Sequence, residues 1–320
     1  VTIHPRVKEV ALKFEALELH AARAGREVME ALASAVAESS ATSMDGLAAD
    51  LTLNADALLQ VMPAYAPPVN VMHRVFARLE QAQKDALPMG EFREVVAREA
   101  ESYRQWSEQA RAKIALHARR VIPNGGVVFT FTLSETVLGT LREAARVGLE
   151  FRVLVSESRP NADGLVTARS LAEQDVQVEV GIDVGVGELV PQADVMMVGA
   201  EALLSDGSAI CKVGTYPAAL VARRSGIPVY VLVDSMKVHS TSLLGKLPAL
   251  DPIAARDVLG DRAVPGAPVV GHLFDCTPAE LISAVITERG LIHPGQVSQW
   301  VLEMPMSEYL AARLADLHGG

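Results

Sequence analysis

The sequence is poor in cysteine, aromatic residues, net basic charge and long apolar runs, and each shortage removes a class of function. Only two cysteines occur in 320 residues, Cys211 and Cys276, and they form no CxxC pattern. Neither a disulfide framework nor a structural zinc site is indicated, and a reducing, cytoplasmic setting is expected. Aromatic side chains make up 4% of the chain, too few for a base-stacking platform. Lysine and arginine number 29 against 39 aspartates and glutamates, a net charge of −10. Neutralising a phosphate backbone needs basic surface, so no direct nucleic-acid partner is expected. A local basic pocket for a small phosphorylated ligand remains compatible with that balance. No stretch approaches the roughly 18 apolar residues of a membrane span. The opening Val1-Thr-Ile-His-Pro-Arg6 has no apolar leader core, so neither a membrane partner nor a secretory signal is expected. The eight histidines show no metal-ligand spacing, and the glycines at 181, 185 and 187 do not complete GxGxxG. No cofactor and no metal are therefore expected.

What is present is a packed globular composition, half hydrophobic and 21% charged, on a length that suits about two domains. The first third favours helix. Segments 7–38, 44–62, 68–86 and 91–121 are rich in Ala, Leu, Glu, Arg and Met, the good helix formers. Asp45 and Pro67-Pro68 mark breaks, and Val69, Met72, Val75, Phe76 and Leu79 share a helical face. The pattern changes at Ile122-Pro-Asn-Gly-Gly126. Strands are predicted over 127–132, 151–155, 176–182, 195–198 and 228–233, with helices over 135–147, 164–174 and 217–225 and a further helix beginning near Gly187. Such alternation implies parallel βαβ units. The stretch 234–271 reads as irregular, Thr277-Pro278 as a helix start, and 306–317 as a last helix. The fold class is α/β: a helical N-terminal domain over 1–121, then a Rossmann-like, doubly wound, mainly parallel sheet domain over 122–320.

The densest chemistry lies in Val198-Gly-Ala-Glu-Ala-Leu-Leu-Ser-Asp-Gly-Ser-Ala-Ile-Cys-Lys-Val-Gly-Thr-Tyr216. A carboxylate, a lysine and a Gly-Thr step at a helix start combine a proton-transfer group with an anion-binding helix end. Ligands of open parallel sheets sit beyond the carboxyl ends of the strands. That rule gathers Thr132 to Ser134, Ser156 to Arg159, Asp183, Glu201 and Ser235 to Lys237.

Several of these strand ends carry a resemblance. Ser156-Glu-Ser-Arg-Pro160 with Gly164, Ile182-Asp183, Ala193-Asp194, Val198-Gly-Ala-Glu201, Asp206-Gly207, Lys212-Val-Gly-Thr-Tyr216, Gly226-Ile-Pro-Val-Tyr230, Ser235-Met-Lys237, Phe274-Asp-Cys-Thr-Pro278 and Ile286-Thr-Glu-Arg-Gly290 occur in one order across about 125–295. This sequence resembles the translation initiation factor 2B alpha/beta/delta family, the alpha subunit most closely. It is also similar to the family's enzyme relatives, methylthioribose-1-phosphate isomerase and ribose-1,5-bisphosphate isomerase. The resemblance implies a Rossmann-like domain behind a helical one, and homodimers or higher assemblies. In the isomerases, a cysteine in a Thr-His-Cys stretch and an aspartate after Gly-Ala move protons around C1 and C2 of a phosphorylated aldose. Here Thr132 stands for the cysteine and Glu201 for the aspartate, the latter as in the alpha subunit. Threonine is a far weaker acid than a thiol. The extra methylene of glutamate also shifts the carboxylate, and a displacement near 1 Å can cost about 100-fold in rate. The isomerases' Arg-Gly-Ala phosphate contact has no counterpart, Leu19-His20-Ala21 lying there, and Tyr65 replaces an arginine.

For the residues themselves two readings stand side by side. Lys212 and Lys237 hold phosphate or are solvated surface lysines; Arg159 contacts an anion or pairs with Glu157. Glu201 is a general base or a capping carboxylate. Asp183 orients hydroxyls or serves structure, and Ser134 donates to a ligand oxygen or caps a helix. The Gly214-Thr215 backbone is expected to cradle phosphate. Cys211, with a pKa lowered by Lys212, or Thr132 is the candidate second proton carrier, the alternative for Cys211 being a space-filling residue. Cys276 reads as core and His239 as surface. The first functional reading is a regulatory or assembly protein, like the alpha subunit, that binds a phosphorylated sugar or nucleoside monophosphate. The alternative is an aldose–ketose isomerase of a phosphorylated ribose. A vacant scaffold is the third.

Overall fold

The computed structural model describes residues 2–16, 18–62, 65–239, 242, 250, 252–260, 262, 264 and 266–318. Part of the region read as irregular, residues 240, 241 and 243–249 above all, lies outside the described residues. The chain divides into two compact units, one of residues 1–108 with 301–320 and one of residues 109–300. The division expected at 121/122 thus falls inside the second unit, and the last helix belongs to the first.

The first unit is helical: α1 (Pro5–Glu15), α2 (Ala21–Glu38), α3 (Met44–Leu59), α4 (Ala66–Lys84) and α5 (Met89–Ala118), which runs across the division. The single helix expected over 7–38 is two. Ser43 caps α3, accepting from the Gly46 N–H at 3.1 Å, and the proline pair sits in the first turn of α4, where a missing N–H costs nothing. The faces meet through Val28, Leu32, Leu51, Val71, Met72, Val75 and Phe76, all almost wholly buried. The C-terminal helix Glu308–His318 returns to α4. The Ser307 N–H donates to His73 Nδ1 at 3.2 Å, and Glu80 accepts from the Ser307 hydroxyl at 2.6 Å and the Tyr309 N–H at 2.9 Å. Burial pushes the His73 pKa down to about 4, so the imidazole is neutral and able to accept that bond.

The second unit holds a seven-stranded sheet. Its strands are β1 (Gly126–Phe131), β2 (Phe151–Ser156), β3 (Gln177–Gly181), β4 (Val195–Val198), β7 (Val229–Leu232), β9 (Ala284–Thr287) and β10 (Gly290–Ile292). A small second sheet is built from β5 (Ala202–Leu203), β6 (Ala209–Lys212) and β8 (Phe274–Thr277). Spatial order in the large sheet is β10-β9-β7-β4-β1-β2-β3; every pair is parallel except β9–β10. The crossovers include α6 (Glu135–Arg146), α7 (Asp163–Ala172), α8 (Val186–Leu189) and α9 (Thr215–Ser225). Val128, Val153, Val195, Met197, Leu232 and Ile286 form a core with Val137, Leu141 and Ala144 of α6. The helix expected at Thr277-Pro278 is only a 3-10 turn, Ala279–Leu281, and the β9–β10 hairpin follows it. The order runs one way from β1 through β2 to β3 and the other way from β4 through β7 to β9. The switch point, where ligands of such sheets collect, is therefore the crevice beyond β1 and β4.

Candidate functional site

The loops after β1 and β4 meet closely. A Cβ on Gly199 would lie 2.4 Å from Ser134 Oγ, so only glycine allows β4 to deliver Ala200 and Glu201 beside the start of α6. Ser134 itself caps α6, its hydroxyl accepting from the Val137 N–H at 3.4 Å. Thr132 lies in the left-handed region with φ of 64°, and its carbonyl accepts from the Thr167 hydroxyl at 3.0 Å.

Lys237 follows β7 in a 3-10 turn that Asp234 caps. Its ammonium donates to the Ala200 carbonyl at 2.6 Å and lies 3.6 Å from Glu201 Oε2. Lys212, the last residue of β6, pairs with Asp163 Oδ2 at 3.3 Å and faces the Phe274 ring at 5.9 Å. The two lysines are only 7% and 8% exposed, which removes the solvated-surface reading. Burying a charge is costly unless it is paired; here each ammonium has a carboxylate, and both carboxylates keep 18% of their side-chain surface. Asp163 is fixed by its neighbour. A Cβ on Gly164 would stand 1.8 Å from the Ser156 carbonyl oxygen, so α7 starts hard against the end of β2.

Other expectations change. The N-terminus of α9 is not open to a phosphate: Asp275 Oδ2 accepts from the Gly214 N–H at 2.8 Å and the Tyr216 N–H at 3.0 Å. Gly214 has φ of 102° and lies against the Phe131 ring, and the Thr215 hydroxyl donates to the Lys212 carbonyl at 2.7 Å. The Gly214-Thr215 step therefore shapes the turn through groups already bonded within the protein. Asp183 is likewise committed, accepting from the Ser156 hydroxyl at 2.6 Å, the Ser158 N–H at 2.8 Å and the Arg159 N–H at 2.6 Å. It orders the loop that carries the exposed Arg159, and its structural reading holds. Cys211 is wholly buried, and desolvation, followed by the charge of Asp275, pushes its thiol up, not down. A neutral, enclosed thiol beside Lys212 is not the proton carrier that proximity to a lysine suggested. Cys276 is exposed, not core, and His239 is buried, not surface.

Sequence reasoning missed Asp163 and Asp275 as partners of this site. Asp163 opens α7 directly after the turn at residues 159–162, and Asp275 is 61 residues from Gly214; neither pairing leaves a local signal. Among the described residues, no group of three or more His, Cys, Asp or Glu is placed to hold a metal ion, and no helix is long and apolar enough to cross a membrane. A separate cavity of about 250 Å³, lined by Arg223, Pro228, Glu280 and Ser283 among others, sits at the far end of β7 and α9.

Helices in the first unit, a parallel sheet with a topological switch in the second, and two buried lysines beyond its strand ends define a Rossmann-like α/β protein. The model of the initiation factor 2 subunit family matches residues 19–294, and the chain belongs to that family. It is 30% identical over 314 residues to the ribose 1,5-bisphosphate isomerase of Haloterrigena turkmenica, covering 94% of each chain. Its fold is similar to that of the translation initiation factor eIF-2B of Pyrococcus horikoshii OT3 (TM-score 0.78, 24% identity, 92% of this chain and 99% of that one). It is also similar to that organism's 5-methylthioribose 1-phosphate isomerase (TM-score 0.76, 20% identity, 93% and 87%).

Proposed function

We propose that the protein is an aldose–ketose isomerase of a phosphorylated ribose, of the ribose-1,5-bisphosphate or methylthioribose-1-phosphate type. The observation that carries this reading is the Glu201–Lys237 pair at the switch point, 3.6 Å apart and largely enclosed. The end-to-end likeness to a ribose 1,5-bisphosphate isomerase weighs towards it and away from the regulatory, alpha-subunit-like role favoured on sequence alone. For a sugar phosphorylated at C1, the reaction breaks the C1–O4 and C2–H bonds and forms C1–H and the C2 carbonyl. The C2 hydrogen ends on C1 and the O2 proton on O4, so no external oxidant or reductant is needed. Glu201 is the general base, held by Lys237. Lys212 and Lys237 receive phosphate, with Arg159 at the rim. Thr132 bonds a ligand oxygen, because its hydroxyl is too weak an acid to replace the thiol. The protein acts as a homodimer, as the resemblance implies, in the cytoplasm.

The test is incubation with ribose-1,5-bisphosphate and with 5-methylthioribose-1-phosphate, following ketose formation and thermal shift together. Ketose should form with one of them, and Glu201→Gln should lower kcat by about 100-fold or more while the ligand still raises the melting temperature. A thermal shift without ketose in the wild type restores the regulatory reading.

A further inference from the structure

We infer that Asp275 is a positioning residue of this site, holding the Lys212–Tyr216 turn in its ligand-ready shape only while its carboxylate is ionised. This rests on the isomerase reading for its kinetic consequences, but its structural basis stands apart. Asp275 lies opposite Cys211 in the β6–β8 ladder, next to the Lys212–Phe274 pair. One oxygen, Oδ2, accepts both the Gly214 and Tyr216 N–H groups, and the Thr277 hydroxyl and the Thr215 N–H also favour the ionised carboxylate. The Thr215 hydroxyl then ties the same turn to the carbonyl of Lys212. One carboxylate thereby fixes the backbone from which the lysine reaches Asp163.

The charge is not held there for stability. Desolvation outweighs the bonds from Tyr216 and Gly214 and raises the Asp275 pKa to about 6. A carboxyl whose folded pKa exceeds its unfolded one stabilises the protein when protonated, and that contribution is lost as pH rises through the window from about 4 to 6. At neutral pH the fold thus carries a carboxylate that would be easier to keep neutral. The titratable groups that face it are the Cys211 and Cys276 thiols, with Glu201 beyond Cys211. Burial pushes both thiols up, so neither of them contributes an acid limb. On protonation Oδ2 becomes a weaker acceptor for two N–H groups, and the turn loosens.

The experiment compares wild type, Asp275→Asn and Asp275→Ala from pH 5 to 7.5, by KM and kcat and by protection of the Gly214 and Tyr216 amides against hydrogen exchange. An amide oxygen at the Oδ2 position is an uncharged acceptor, as in the protonated acid, and does not titrate. In wild type, KM should rise about 10-fold from pH 7 to pH 5, as a group with a pKa near 6 becomes about nine-tenths protonated, with a smaller change in kcat. Asp275→Asn should show at every pH the raised KM and weakened protection that wild type reaches only on acidification; Asp275→Ala should show a KM at least as high and weak protection throughout. The substrate phosphate, which also titrates near pH 6, affects all three proteins alike. An acid limb unchanged in Asp275→Asn, a wild-type KM at pH 7 in that variant, or normal KM and protection in Asp275→Ala, overturns the proposal. If the wild type turns over neither sugar phosphate, the isomerase reading falls, and amide protection lost on acidification in wild type and weak at every pH in Asp275→Asn still decides the role of Asp275.

Discussion

The helical unit and the sheet unit spend their charges differently. In the helices, ion pairs lie mostly along exposed faces. Arg104 bonds Glu101 at 2.7 Å and Glu108 at 2.9 Å, all three being about half exposed. Such pairs are local, three or four residues apart on one helix, and contribute little. Glu27, beside Arg6 and Lys13, and Glu99, between Arg74 and Arg78, are more enclosed and join different helices. In the sheet unit, the pairs that matter join distant elements: Lys212 to Asp163 and Lys237 to Glu201, with both ammonium groups nearly enclosed. Enclosure is unfavourable for a charge even when paired. A fold that tolerates it twice beyond the ends of its strands fits the proposed site better than it fits a demand for stability alone, which would put apolar side chains there.

The sharpest way to break this contrast is at glycine. Gly164→Ala forces a methyl to 1.8 Å from the Ser156 carbonyl oxygen, and chemical denaturation should show a loss of at least ~3 kcal/mol, an overpacking penalty. Gly90, near the start of α5, has nothing within 4 Å of its Cβ position, and Gly90→Ala should instead gain up to ~1 kcal/mol. Equal behaviour at the two sites would remove the claim that the loops around the site are close-fitted. Next comes Lys237→Met. It removes an ammonium that faces Glu201 and the proposed phosphate, and calorimetry should show ligand affinity lower by about 30-fold, the scale of a charged hydrogen bond. Unchanged affinity would return Lys237 to a structural role. The smallest effect is expected for Arg104→Ala, which should leave the melting temperature and turnover where they are. A clear loss there would mean that the surface pairs of the helices do more than their exposure suggests.

Much of this architecture was legible in the sequence because apolar runs are local. Val195-Met-Met-Val198 is a buried strand where the reading put one, and β1, β2, β3, β7, α6, α7 and α9 differ from expectation by no more than two residues at an end. The hairpin β9–β10 was hidden, because Thr277-Pro278 has the chemistry of a helix start and only three helical residues follow. The short ladder β5–β6–β8 was hidden because β8 comes from 62 residues beyond the end of β6. The site divides in the same way. Glu201, Lys212 and Lys237 could be chosen by type and by place at strand ends. What each one touches could not, since Asp163 and Asp275 arrive from other crossovers. Cys211 shows the cost: adjacency to a lysine argued for an acidic thiol, but complete burial decides the matter.

The return of the last helix to α4 has a practical meaning for the intact chain. Cleavage after Trp300 would take away Ser307 and Tyr309, the donors to Glu80, and Arg313, which clasps Asp56 at 2.7 and 3.0 Å. It would also leave the buried imidazole of His73 with neither ring nitrogen bonded, since Nε2 has no partner already. Fragments trimmed to the family's matched span, and tags or fusions that strain this end, carry that vacancy with them into any assay.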